Sequence, residues 1–254
     1  MLGAIAGDMI GSIHEFCAPP PDDVPLFQPD SHFTDDTLLT LATARCLLDG
    51  EGYTKAYRRA CLENPEQAWG LRFNAWAQSN NSEPYNSLGN GSAMRVSPVG
   101  WWMNSENEVL AEAERSASVT HNHPEGIRGA QATALAVYLA RQGADAATIR
   151  GRIATELGYH LSEPYRELIY SCRYNEVCEG TVPPALTIVL EADSFEQVMR
   201  MALSLDADTD TLACIAGAVA EARFGVPSWI ERETRRRLPQ EHLALVDRFR
   251  KAVS

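Results

Sequence analysis

Two short segments of this 254-residue chain concentrate carboxylate and hydroxyl side chains directly before apolar runs. The first is Thr34-Asp35-Asp36, and the second runs from Asp206 to Thr211, with acids at positions 206, 208 and 210. Oxygen ligands of this kind select hard cations such as Mg²⁺, Mn²⁺ or Ca²⁺ rather than zinc. Because carboxylates crowded at a helix start repel one another, a bound cation would relieve the repulsion. The two segments therefore predict one shared cation site, if both helix starts meet in space.

Each segment taken alone has a simpler interpretation as a capped helix start. Threonine is a good N-cap, and acidic residues suit the positive end of a helix. A calcium loop of the EF-hand type is excluded for the second segment, because that loop needs glycine and glutamate where Thr211 and Gly217 stand. Capping and cation binding both stay open from the residues alone.

Three other places offer polar groups to a ligand. The turn Gly89-Asn90-Gly91-Ser92 suits an anion, because glycines allow positive φ and expose successive N–H groups, although such a segment is more often only a turn. His121 and His123 could orient a ligand or act as acid or base, and a polar turn is an equal alternative. Glu15 ends the first helical pattern, a position where a glutamate ordinarily has no special role.

The elements that must position these groups are helices, since the dominant hydrophobic period is 3.6 residues. Glycines recur every four residues along the first helix, at 3, 7 and 11, a spacing that lets a second backbone approach closely. Residues 74–91 are predicted to be turn-rich, and Ala185 to Leu190 is the one short strand candidate. Because the helices are short and the connections irregular, we expect an all-α, compact, orthogonal helical bundle that forms one domain over residues 1–254. Predicted helices cover about residues 2–13, 35–48, 54–62, 106–119, 125–141, 145–157, 164–170, 195–203, 209–224, 228–237 and 239–252.

Composition excludes several classes of function. The formal net charge of -12 argues against binding to nucleic-acid phosphates. No run approaches the ~18 uncharged apolar residues of a membrane-spanning helix, and the N-terminus makes a poor signal peptide. The six scattered cysteines lack a Cys-x-x-Cys pair, which predicts reduced, mostly buried thiols. We expect a cytoplasmic monomer.

Taken together and in order, these segments resemble the ADP-ribosylglycohydrolase family, which includes the dinitrogenase reductase-activating glycohydrolases and the ADP-ribosyl-acceptor hydrolases. The resemblance covers nearly the whole chain. It is carried by Gly3 to Asp8 with Gly11 and Glu15, by Phe33 to Thr37, by Gly89 to Arg95, by Thr120-His121 with Pro124 and Gly129-Ala130, and by Asp208 to Ala213 with Gly217-Ala218.

The resemblance implies the family's all-α fold and a binuclear magnesium site, with manganese as an alternative ion. The implied metal ligands are Thr34, Asp35, Asp36, Asp208, Asp210 and Thr211, of which Asp36 and Asp210 are expected to touch both ions. The implied substrate-binding residues are Gly89, Asn90, Gly91 and Ser92 for the pyrophosphate of ADP-ribose, Met94 in the same motif, and His121 for a phosphate or ribose. Glu15 aligns with a glutamate on a mobile loop that guards the site in some members.

The implied activity is hydrolysis of the N- or O-glycosidic bond between ADP-ribose and an acceptor. ADP-ribosylated arginine or another side chain of an ADP-ribosylated protein is the leading expectation for the substrate. Glu15, Asp35 or Asp36 would take the proton. Two alternatives stay open: a non-catalytic ADP-ribose-binding module, and a hydrolase of a small ADP-ribose derivative or an ADP-ribosylated nucleobase.

The chain departs from the family pattern at two places. Asp206-Ala207 replaces a pair of glycines before the second acidic motif, so Asp206 would add a carboxylate near the ions. Ser87 stands where some bacterial members carry an aspartate proposed as a catalytic acid or base. The arginine-specific bacterial mechanism therefore does not transfer whole.

Overall fold

Helices account for all the regular structure apart from one isolated β-bridge, between Gly89 and Val177. The computed structural model describes residues 1–254. The all-α prediction is confirmed. The helices are α1 (Leu2–Gly11), α2 (Asp35–Asp49), α3 (Tyr53–Glu63), α4 (Leu71–Gln78), α5 (Gly91–Met94), α6 (Ser97–Trp102), α7 (Glu106–Ala117), α8 (Pro124–Arg141), α9 (Ala146–Leu157), α10 (Tyr165–Ser171), α11 (Cys178–Glu191), α12 (Phe195–Leu203), α13 (Thr209–Phe224), α14 (Ser228–Arg237) and α15 (Gln240–Val253).

Helices α1 and α13 form the central contact of the bundle, and glycines set their separation. Every residue of α1 is buried. A Cβ atom at Gly7 would lie 2.0 Å from the carbonyl oxygen of Ala213, and one at Gly3 would lie 2.3 Å from that of Gly217. Only glycine permits so close an approach of two backbones. The contact places the end of α1 directly beside the start of α13, where a Cβ at Gly11 would lie 2.5 Å from Cα of Asp210.

Two local predictions were wrong. Ala185 to Leu190 is not a strand but the last part of α11, because a short apolar run of β-branched residues fits a helix buried on several sides equally well. The turn-rich interpretation of residues 74–91 missed the end of α4, whose buried residues Phe73, Trp76 and Ala77 face the core.

The remaining helices enclose this centre in a continuous core. A large hydrophobic cluster runs through α2, α8, α11 and α13, and a smaller one joins α1 to α15 through Met9 and Phe249. All six cysteines are free thiols and only Cys17 is exposed, as predicted. None of the fifteen helices combines the length and the apolar character that a membrane crossing requires.

Candidate active site

A cavity of about 780 Å³ opens where the starts of α2 and α13 meet the glycine turn at residues 89–92. The two acidic segments therefore do meet in space, as the shared-site prediction requires. Twelve of the thirteen predicted site residues border this cavity, Ser92 being the exception. Those that do are Glu15, Thr34, Asp35, Asp36, Gly89, Asn90, Gly91, Met94, His121, Asp208, Asp210 and Thr211, where Asp35 and Asp36 carry two predicted roles each.

The first acidic segment is held by a carboxylate of α1. Thr34 caps α2, as predicted, because its hydroxyl accepts a hydrogen bond from the N–H of Asp36 at 3.3 Å. The buried Asp8 accepts hydrogen bonds from the N–H of Thr34 at 3.0 Å, from the hydroxyl of Thr34 at 2.8 Å and from the N–H of Thr37 at 3.1 Å, and it also bonds the Thr37 hydroxyl. Asp8 thus fixes the start of α2 against α1. Sequence reasoning assigned Asp8 no role beyond its place in the Gly3 to Asp8 motif.

The second acidic segment contacts the first through Asp36. The hydroxyl of Thr211 donates to Oδ2 of Asp36 at 3.3 Å, and the hydroxyl of Thr34 approaches the same oxygen at 3.4 Å. The other oxygen, Oδ1, is buried and has no hydrogen-bond partner in the protein. A buried carboxylate oxygen without a donor is costly, and a cation would satisfy it.

A compact group of three carboxylates lies beside this contact. Oxygen atoms of Glu15, Asp208 and Asp210 all lie within 4.8 Å of one another. Glu15, predicted as a proton acceptor, is therefore also near enough to the two aspartates to share a cation with them. Carboxylate and hydroxyl oxygens in this number suit a hard divalent ion, so the residues present fit magnesium or manganese.

Burial and mutual repulsion disfavour the charged forms of these acids in the absence of a cation. Burial raises the pKa of Asp35 to about 8, and repulsion from Asp210 adds to the effect. Burial first, and then neighbouring acids, raise the pKa of Glu15 to about 7 and hold the pKa values of Asp36 and Asp210 well above their ordinary range. The pKa of Asp208 rises to about 6, mainly through burial. A divalent cation would reverse these shifts, because it favours the ionised forms.

The glycine turn presents fewer free donors than its four residues suggest. The N–H of Gly89 donates to the hydroxyl of Ser87 at 3.1 Å, and that of Asn90 donates to the carbonyl of Glu176 at 2.8 Å. The N–H groups of Gly91 and Ser92 make no hydrogen bond within the protein. They are the two donors that an anion could use.

Two side chains of this turn, those of Asn90 and Ser92, form hydrogen bonds with other groups of the protein. The Asn90 amide donates to Oδ2 of Asp208 at 2.7 Å and to the hydroxyl of Thr181 at 3.1 Å, so it orients a predicted metal ligand. The hydroxyl of Ser92 donates to the carbonyl of Gly126 at 2.6 Å and is fully buried. Any contact of Ser92 with a ligand would therefore use its backbone.

The two histidines of the central turn differ in placement. His121 is buried, and its ring borders the cavity with Nε2 towards the glycine turn, where a Cβ at Gly91 would lie 3.3 Å away. Burial, reinforced by Arg95, lowers the pKa of His121 well below its usual range. His123 instead caps α8, with Nδ1 accepting from the N–H of Glu125 at 3.1 Å. Only His121 remains a candidate for ligand contact.

An aromatic wall, four of whose five members border the cavity, was not foreseen from the sequence. Its neighbouring ring centroids lie 5.4 to 6.4 Å apart from Trp69 to His121. Trp69, Phe73 and Trp76 lie close together in and just before α4, but Tyr85 and His121 come from two other loops, so spacing along the chain does not signal the complete wall. Its members are Trp69, Phe73, Trp76, Tyr85 and His121.

The cavity mouth adds another set that the sequence did not single out. Phe16 is exposed and its ring centroid lies 5.4 Å from that of Tyr174, and Glu66 and Glu176 border the same opening. Asp206, expected near the ions, borders a separate groove with Phe16 and Tyr174 rather than the cavity.

Comparisons with known proteins agree with this geometry. A sequence profile described as ADP-ribosylglycohydrolase matches residues 1–254. The ADP-ribosylhydrolase ARH3 of Mus musculus is 26% identical over 310 residues, covering 89% of this chain and 83% of that protein. The ADP-ribosylarginine hydrolase Tri1 of Pseudomonas putida (strain GB-1) is 25% identical over 280 residues, covering 91% and 72%. A solved structure, an ADP-ribosylglycohydrolase-related protein complex, shares the fold with a TM-score of 0.74 and 22% identity, over 100% of this chain and 97% of that one.

Proposed function

This chain belongs to the ADP-ribosylglycohydrolase family of glycosidic-bond hydrolases, and we propose that it releases ADP-ribose from modified arginine side chains in a magnesium-dependent reaction. One observation carries the proposal. The starts of α2 and α13 bring unpaired, buried carboxylates to one cavity, which also holds free backbone donors and an aromatic wall.

Each part of ADP-ribose would contact a different group of residues in the cavity. The diphosphate would lie against the free N–H groups of Gly91 and Ser92 and the Nε2 edge of His121. The adenine would pack on the aromatic wall, because rings of this kind bury a large flat surface. The ribose next to the scissile bond would then face the carboxylates.

Two magnesium ions would be held by Thr34, Asp35, Asp36, Asp208, Asp210 and Thr211. The unpartnered Oδ1 of Asp36 and the raised pKa values of its neighbours support a cation there. When bound, the ions would supply positive charge that orients the ribose hydroxyls and makes a nearby water more acidic.

The protein's own groups would move the proton and stabilise the charge on the sugar. Glu15 is half-buried and borders the cavity beside Asp208 and Asp210, so its carboxylate is placed to accept a proton from a water held there. Water would attack the anomeric carbon as its bond to the acceptor breaks, Glu15 would take the water proton, and the acceptor would leave with its electron pair. The carboxylates face the positive charge that develops on the sugar ring.

The mouth of the cavity favours a cationic acceptor. Glu66 and Glu176 are exposed acids at this opening, and the face of the Phe16 or the Tyr174 ring could stack on a flat guanidinium group. Arg72, one of the two arginines that border the cavity, already donates to the carbonyl of Tyr85 and stacks on its ring. The name of the Pseudomonas putida relative, an ADP-ribosylarginine hydrolase, supports the same acceptor.

A substrate panel tests this proposal. Proteins ADP-ribosylated on arginine or on serine, O-acetyl-ADP-ribose and an ADP-ribosylated nucleobase would be incubated with enzyme and Mg²⁺, and released ADP-ribose and the freed acceptor identified by mass spectrometry. We expect release from arginine to be fastest. Binding of ADP-ribose without release from any substrate would instead favour a binding module, and preference for a small derivative or nucleobase would refute the protein substrate.

A further inference from the structure

A chain of hydrogen bonds runs from a buried arginine to the imidazole at the glycine turn. Nη2 of Arg95 donates to the hydroxyl oxygen of Thr120 at 2.8 Å and to the carbonyl of Ser116 at 3.1 Å. The Thr120 hydroxyl lies 2.7 Å from Nδ1 of His121. Arg95 and Thr120 are both fully buried, so water does not compete for these bonds.

The direction of the chain follows from its first member. An arginine can only donate, so the Thr120 oxygen accepts from it. The Thr120 hydroxyl has no other acceptor than Nδ1 of His121. If Nδ1 carried a proton, the buried hydroxyl hydrogen would have no partner, at a cost of about 1–3 kcal/mol. Nδ1 is therefore the acceptor, and a neutral imidazole then carries its proton on Nε2.

A second feature keeps the imidazole neutral. The guanidinium of Arg95 is anchored over the ring of Tyr57, with Cζ 4.1 Å from the ring centroid. Tyr57 is itself fixed by a hydrogen bond between its hydroxyl and that of Thr43 at 2.9 Å. A fixed positive charge beside a buried imidazole opposes protonation. The other cation facing the ring is Arg72, which acts in the same direction, and Tyr85 packs on it as a neutral ring.

We infer that Arg95 and Thr120 are positioning residues that hold His121 as the neutral Nε2–H tautomer, a fixed hydrogen-bond donor aimed at the glycine turn. Nε2 has no acceptor within the protein and lies next to Gly89 and Gly91. His121 would thus add a third donor to the N–H groups of Gly91 and Ser92. It would serve as a donor and not as a general acid or base. That its acceptor is a diphosphate oxygen rests on the proposed function, whereas the tautomer does not.

Nitrogen-15 NMR of histidine-labelled full-length protein tests the tautomer directly. The signals of His121 are identified as those missing in His121→Ala. We expect an unprotonated Nδ1 and a protonated Nε2 from about pH 5 to pH 8, the range in which an ordinary histidine titrates. A protonated Nδ1 in the wild-type protein, or protonation of the ring in this range, would overturn the inference.

Two variants at position 120 test the role of the hydroxyl. Thr120→Val removes it at nearly constant shape, and Thr120→Ser keeps it. In folded Thr120→Val we expect the two nitrogen signals to move towards an average of the tautomers and the affinity for ADP-ribose, measured by calorimetry, to fall about tenfold. Thr120→Ser should show the wild-type nitrogen signals and the wild-type affinity for ADP-ribose. An altered tautomer with unchanged affinity would refute the donor role, and wild-type tautomer signals in Thr120→Val would refute the role of Thr120.

The tautomer of His121 and its contact with a diphosphate can be refuted separately. If wild-type protein bound no ADP-ribose, the proposed function and the diphosphate contact would be wrong, and the NMR result would still decide the tautomer.

Discussion

The acids of the cavity and the acids of the outer helices have opposite environments. In the cavity, Asp35, Asp36 and Asp210 lie among other carboxylates, and their pKa values are raised. On the outer helices, Asp247 lies 2.7 Å from Arg235, and this partner lowers its pKa. Asp247 thus has a basic partner, whereas the cavity acids have none.

This difference indicates that the cavity acids are arranged for a cation from outside the chain. Surface ion pairs contribute little to stability, about 0–1 kcal/mol each. Unpaired buried carboxylates instead lower the stability of the metal-free protein, so their presence at a site needs a reason other than folding. The same kind of substitution made in the cavity and on the outer helices tests this difference.

The largest expected effect is on activity. Asp36→Asn keeps the shape of the side chain but removes the charge on the unpartnered oxygen. We expect kcat/KM for release of ADP-ribose to fall by roughly 10³-fold, since a metal site contributes several kcal/mol to the transition state. The matched outer variant, Asp247→Asn, should retain wild-type activity. Equal activity of both variants would remove the distinction between the two regions.

The second effect concerns the close backbone contact between α1 and α13, which places the end of α1 beside the acids of the cavity. Gly7→Ala would place a methyl group 2.0 Å from the carbonyl oxygen of Ala213, so α1 and α13 must separate. We expect a loss of about 3 kcal/mol or more in the free energy of unfolding. In Gly151→Ala, on exposed α9 with no atom within 4 Å of the new Cβ, we expect a gain of about 0.5–1 kcal/mol. Urea denaturation measures both, and a harmless Gly7→Ala would contradict the close approach of the two helices.

The third effect is the pH dependence of stability. The folded protein holds protons on Asp35, Glu15 and Asp208 up to about pH 8, 7 and 6, whereas the unfolded chain releases them near pH 4. The folded state therefore binds more protons across this window, and the metal-free protein should lose stability as pH rises from about 4 to 8. The outer acids act oppositely, since their contribution is lost as pH falls below about 4.

Magnesium should counteract that loss. Because the ions favour the ionised carboxylates, the rise in melting temperature at a fixed Mg²⁺ concentration should grow with pH. A Mg²⁺ concentration of 100 Kd would stabilise the folded state by about 2.7 kcal/mol. Differential scanning fluorimetry across the pH range measures it. If the Mg²⁺-induced rise in melting temperature were independent of pH, or equally large in Asp36→Asn, the ions would bind outside the acidic cavity.

The smallest effect belongs to the outer region. Asp247→Asn removes one ion pair with Arg235, in which the aspartate side chain is 54% exposed. We expect a loss of less than about 1 kcal/mol, or a fall in melting temperature of up to about 4 °C. A larger loss would mean that the outer pairs stabilise the fold substantially.

The sequence predicted those features that are local. The Thr34 cap, the helix starts at both acidic segments and the close approach signalled by glycines at 3, 7 and 11 all follow from short-range spacing, and the structure confirms them. The predicted roles of the individual site residues stay predictions.

Features that depend on long-range contacts were not predictable from spacing. Asp8 holds Thr34 across 26 positions, and Asn90 reaches Asp208 across 118 positions. The aromatic wall likewise forms only when the segment from Trp69 to Trp76 meets the two loops that hold Tyr85 and His121. In Ala185 to Leu190, burial within the bundle overrode a strand-like composition.

The most direct test of the account is the metal dependence of ADP-ribose release. Wild-type protein freed of metal by a chelator would be incubated with arginine-ADP-ribosylated protein, and released ADP-ribose followed as Mg²⁺ is added back. The account predicts negligible release without the ion and recovery of full activity on its addition. Undiminished release from metal-free protein would contradict the claim that the cavity acids serve a catalytic cation.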